Sequence, residues 1–171
     1  MKVKPRLTFF LIVLFQILIL AGLTGFNEAN LALGKSVVLE TVPVDPRDIF
    51  RGDYVILRYE ISTLRGIPGL SMVEEGDKAY VRLERRGDVW EATRVSRTYR
   101  EEWDFFIAGD VTDVQGNRIT IEYGIEAYFV PEGEGLEIQN ARDIKVRVSI
   151  NRLGKAIIEG LIVNGTPFQL R

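Results

Sequence analysis

From Leu7 to Asn27 the chain runs for 21 residues without a charged side chain, with Thr8-Phe9-Phe10-Leu11-Ile12-Val13-Leu14-Phe15-Gln16-Ile17-Leu18-Ile19-Leu20 at its centre. As a helix rising 1.5 Å per residue, that stretch is about 31 Å long, close to the hydrocarbon thickness of a bilayer. Gln16 is the one strongly polar residue in its middle. A helix packed on a globular core has a polar face, and this segment has none. Lys2, Lys4 and Arg6 precede it and Glu28 is the first acid after it, so the positive-inside rule keeps the N-terminus in the cytoplasm. A cleaved signal peptide fits less well: its apolar region is usually shorter, and no clean small-x-small cleavage site follows here. The expected organisation is a basic cytoplasmic tail over 1–6, a transmembrane anchor over 7–27 and a linker over 28–35. An extracytoplasmic domain follows over 36–171, on a single-pass cell-membrane protein.

Composition limits the chemistry of that domain. The 171 residues contain no His and no Cys, so disulfides, thiolate or imidazole ligation of zinc, copper or haem, and Ser-His-Asp or Cys-His mechanisms are all excluded. A metal would need oxygen ligands alone. Asp110, Asp113 and Asn117 miss the EF-hand spacing and read as a hairpin loop, so neither metal nor cofactor is expected. The net charge is -2. Removing Lys2, Lys4 and Arg6 leaves 19 basic against 24 acidic residues, a net of -5, which argues against a nucleic-acid partner.

Beyond the linker the apolar residues recur with period two. Strands are expected over 36–44, 53–62, 78–85, 89–97, 103–112, 118–123, 144–150 and 155–163, with a short last one over 166–170. In the second of these, Val55, Leu57, Tyr59 and Ile61 share a face, and Tyr54, Ile56, Arg58 and Glu60 share the other. Arg86-Gly87-Asp88, Asp113–Asn117, Asn151–Gly154 and Asn164-Gly165 supply turns. Residues 125–130 are ambiguous, and Pro131 could open one short helix to about Gln139. The fold class expected is all-β, a mainly antiparallel barrel or sandwich with at most one short helix besides the N-terminal transmembrane helix.

Two blocks carry a resemblance. Gly52-Asp53-Tyr54-x-x-Leu57-x-Tyr59, preceded by Pro43-Val44-Asp45-Pro46-Arg47-Asp48, matches every fixed position of the signature of the GDYXXLXY family. Tyr123-Gly124-Ile125-Glu126-Ala127-Tyr128-Phe129-Val130-Pro131-Glu132-Gly133-Glu134-Gly135 is similar to a second block of that family. The resemblance implies a membrane-anchored protein without an assigned biochemical activity, working beside a larger polytopic membrane protein. Read physically, Gly52 permits a turn, Asp53 caps it, and Leu57 and Tyr59 are core. Tyr54 would pack elsewhere or line a groove. The acids Glu126, Glu132 and Glu134 lie among aromatic residues and read as a solvated loop, with cation capture, a carboxylate pair for hydrolysis or a contact with a partner as the functional alternatives. A signal-peptidase-like Ser-Lys dyad is also considered, but no Ser or Thr immediately precedes Pro46.

Three functions follow as expectations. The first is a non-catalytic extracytoplasmic module that assembles with a membrane protein. The second is a domain binding an envelope glycan or small ligand through Trp90, Trp103, Tyr54, Tyr99 and Tyr128. The third is a carboxylate-based hydrolase using two of Asp53, Glu126, Glu132 and Glu134.

Overall fold

In a computed structural model of the chain, residues 5–32, 34–42, 50–51, 54–130, 138, 141 and 143–168 are described, with side chains at 9–25, 34–42, 55–130, 138, 141 and 143–168. The chain divides into two compact units, Met1–Gly34 and Lys35–Arg171.

The first unit contains helix α1, Pro5–Ala32. Its large side chains are exposed in succession, Phe9, Phe10, Leu11 and Ile12 among them, and Phe15 and Leu20 further along. No polar stripe interrupts them. Among the described residues, however, no helix is long and apolar enough to cross a membrane. The transmembrane helix expected over 7–27 is corrected to this extent: the structure shows a helix and does not show a span.

The second unit is antiparallel β throughout its described strands. These are β1 (Lys35–Glu40), β2 (Phe50–Arg51), β3 (Tyr54–Ile56), β4 (Thr63–Arg65), β5 (Lys78–Arg86) and β6 (Val89–Ser96). After them come β7 (Phe106–Gln115), β8 (Arg118–Glu122), β9 (Ala127–Phe129), β10 (Ile144–Ile150), β11 (Ala156–Val163) and β12 (Thr166–Pro167). They form sheets of order β1-β10-β11-β12, β2-β3-β9 and β4-β8-β7-β5-β6.

The five-stranded sheet curls into a near-closed barrel. Two of its ladders contain bulges. Arg82 faces Arg94 and Leu83 faces Ala92, leaving Thr93 extra in β6; Val111 faces Ile121 and Asp113 faces Thr120, leaving Thr112 extra in β7. An extra residue bends its strand and increases the local twist, which bends the sheet towards closure. On the way back from β4, the Val95 N–H on edge strand β6 donates to Pro68 O at 3.0 Å. Gly69, at φ +98°, lets the chain come this close, since a Cβ there would lie 1.9 Å from Val95 O.

One core serves all three sheets. It combines Val37 and Leu39 of β1, Val55 of β3, Val81 and Leu83 of β5, Ile119 and Ile121 of β8, and Val146 and Val148 of β10. Each such side chain contributes roughly 1.5–3 kcal/mol when buried. The alternation read from the sequence therefore identifies the inward positions.

Some boundaries differ from expectation. The strand expected over 53–62 is not continuous. Its ladder ends at Ile56, Tyr59 makes an isolated bridge to Thr41, and Glu60–Ser62 forms a 3-10 turn. Ser62 closes that turn: its Oγ accepts the Tyr59 N–H at 3.3 Å, and its own N–H donates to Tyr59 O at 3.0 Å. The strand expected from Trp103 starts instead at Phe106 and reaches Gln115, so the hairpin loop is Gly116-Asn117 rather than five residues. Strand β4 lies where no separate strand is expected, and the ambiguous 125–130 segment contains β9. Of the helix considered from Pro131, Ile138 is described, as helical and buried; residues 131–137 and 139 lie outside the described residues.

Candidate functional site

The two sequence blocks meet. Strands β3 and β9 pair antiparallel with Tyr54 facing Phe129, Val55 facing Tyr128 and Ile56 facing Ala127. The Leu57 N–H extends the pairing to Glu126 O at 2.7 Å. Two tyrosines then cross between the blocks in opposite directions. Tyr59 Oη donates to Ile125 O at 2.6 Å, and Tyr123 Oη donates to Ile61 O at 2.7 Å. Both rings are buried. Burial, with the Glu126 carboxylate as the smaller cause, pushes both phenols well above their ordinary range. They stay protonated, which is the state that donates.

Glu126 serves the same junction. Its Oε1 accepts the Tyr123 N–H at 2.6 Å, closing the Tyr123–Glu126 turn. A carboxylate accepting a backbone N–H is charge-assisted and among the stronger hydrogen bonds of a fold. Val55, Leu57, Tyr59 and Ile61 are all buried, as their shared face requires. Tyr128 is half-buried against the core and Phe129 is exposed. Gly124 turns the chain at φ +77°. Gly52, Asp53, Pro131, Glu132, Gly133 and Glu134, and the side chain of Tyr54, lie outside the described residues.

A family model described as GDYXXLXY protein matches residues 16–161. The chain belongs to the GDYXXLXY family. No curated protein and no solved structure matches it. In this member the fixed Leu57 and Tyr59 of the family signature are core positions, and Tyr59 also ties the first block to the second.

Among the described residues, the rings expected to stack on a ligand, Trp90, Trp103, Tyr99 and Tyr128, do not form an exposed row. Trp103 is buried. Trp90 is half-buried, its ring 4.2 Å from that of Phe105, and Lys35 Nζ lies 4.4 Å from the Phe105 ring centre. Tyr99 is the exception, at 48% exposure. It stands in an open groove of about 910 Å³, bordered by Lys78, Tyr80, Gly109, Glu122, Arg152 and Lys155, and reached by Tyr123 and Gly124 of the second block. Apart from Tyr99, Tyr123 and Gly124, sequence reasoning did not place these residues in a site. They come from β5, β7, β8 and the β10–β11 turn, and no local spacing unites them. Among the described residues, no group of three or more Asp or Glu is arranged to hold a metal ion.

Proposed function

We propose that this GDYXXLXY protein is a non-catalytic extracytoplasmic module, held at the cell membrane by α1 and assembled there with a larger membrane protein. The observation carrying this reading is α1 itself. It is a 28-residue helix whose large apolar side chains are exposed one after another, in a stretch of sequence without charge from Leu7 to Asn27. Water gives such a surface no favourable partner, whereas hydrocarbon does. The basic residues before it favour a cytoplasmic N-terminus and an exported Lys35–Arg171 unit. The commitment of Glu126 to the Tyr123 N–H supports a structural rather than a hydrolytic use of that carboxylate. With neither His nor Cys in the chain, assembly is favoured over catalysis.

Alkaline carbonate extraction of membranes containing the full chain tests the anchor. Retention in the pellet is expected, and release to the supernatant would overturn it. Crosslinking in the native membrane followed by purification in mild detergent tests the partner. A polytopic protein should co-purify; a chain that migrates alone would remove the assembly reading.

A further inference from the structure

The groove beside Tyr99 is built so that one buried ring sets both of its walls. Phe106, on β7, is buried. Tyr99 packs on it edge-on at 5.2 Å between ring centres, and Tyr80 lies 6.0 Å from it. On the other side the β10–β11 turn comes down onto the same ring: a Cβ on Gly154 would lie 2.6 Å from it. That turn is fixed at several points. Asn151 Oδ1 accepts the Leu153 and Lys155 N–H groups at 2.9 and 3.0 Å. The Asn151 N–H donates to Lys155 O, the Gly154 N–H donates to Asn151 O, and Gly154 O accepts the Ala108 N–H of β7 at 2.9 Å. The turn carrying Arg152 and Lys155 is thus held in place on the groove that the exposed Tyr99 ring also lines.

The charges around the groove are not balanced alike. Lys78 pairs with Asp110 at 3.6 Å. Among the described residues, Arg152 and Lys155 have no ion-pair partner. Glu122 also lines the groove, on β8, so its charged side chains are three basic against two acidic; the two cations on the rigid turn, unpaired among the described residues, are complementary to an anion. The exposed Tyr99 ring adds a flat apolar face of the kind on which a pyranose stacks. A volume near 910 Å³ falls in the range of ligand sites.

We propose that this groove binds an acidic glycan, with a sugar ring against Tyr99 and its carboxylate on Arg152 and Lys155. The proposal depends neither on the membrane anchor nor on a protein partner. Arg152 presents a planar donor fork suited to a carboxylate, and Lys155 adds a point charge beside it. No bond is made or broken.

Titration calorimetry of the full chain in detergent, at low salt, tests this with three probes: a galacturonic acid oligomer, its methyl ester and inorganic phosphate. The acidic oligomer is expected to bind, and the neutral ester at least about ten-fold more weakly. R152Q/K155Q should weaken binding of the acid at least about ten-fold, and Y99A by a similar factor. Arg94→Gln with Arg147→Gln, which removes two charges away from the groove, should leave the affinity unchanged. Thermal unfolding of each variant confirms that it is folded. Absence of binding by the acidic oligomer would overturn the proposal. So would equal affinity for the ester, unchanged binding by R152Q/K155Q in a folded protein, or phosphate binding as tightly as the oligomer. A glutamate oligomer provides the remaining arm: tighter binding to it would point to an acidic peptide and overturn the glycan.

Discussion

Tyr59 and Tyr123 show how one hydroxyl changes the meaning of a core position. A phenylalanine would fill either site, but Ile125 O and Ile61 O would then lose their donors. Leaving a buried acceptor unpaired costs about 1–3 kcal/mol. Tyr59→Phe and Tyr123→Phe should each destabilise the domain by about that much in urea unfolding; an unchanged midpoint would show the bonds to be dispensable. The pH dependence follows from the same burial. Both phenols are raised in the fold, while in the unfolded chain they ionise near their ordinary value of about 10. Their contribution is fully present below that pH and is lost as pH rises above it. Each costs about 1.4 kcal/mol per pH unit until its folded group titrates. The urea midpoint should therefore fall steeply above about pH 10, and less steeply in either Phe variant. A flat midpoint to pH 11 would refute the assignment.

At the scale of elements, closure of the barrel depends on a close backbone approach. Gly69 brings Pro68 O within 3.0 Å of the Val95 nitrogen, in a conformation that excludes a side chain on both steric and torsional grounds. Gly69→Ala should separate the edges and cost at least about 1–3 kcal/mol, read as a lower melting midpoint and faster amide exchange at Val95. Retained exchange protection would mean that the edges are held elsewhere. The bulges at Thr93 and Thr112 act at the same scale. Alternation in β5 and β8 is visible from Ala79, Val81 and Leu83 and from Ile119 and Ile121. An extra residue, by contrast, leaves no mark in a pattern of apolar residues, because its cause is the partner strand.

For the whole molecule, the division at Gly34 predicts an autonomous β unit. A fragment of residues 35–171 should be soluble without detergent and melt cooperatively at the midpoint the full chain shows in detergent. A fragment that fails to fold would mean that α1 contributes to the core. The two blocks of the family signature, about seventy residues apart, become neighbours only because β3 pairs with β9.

The sequence by itself determined the apolar helix, the inward face through Val55, Leu57 and Tyr59, the positions of the hairpin turns and the two blocks that identify the family. Each of these is written in neighbouring residues, through periodicity, turn chemistry or a fixed motif. Tertiary structure decided that Tyr59 and Tyr123 cross-link those blocks, that Glu126 is a turn cap, and that Tyr99, Arg152 and Lys155 line one groove. It also broke the strand expected through Ser62, where a buried hydroxyl outweighs the alternation. These features depend on pairings between segments distant in the chain, and no local pattern encodes which backbone a buried hydroxyl will reach.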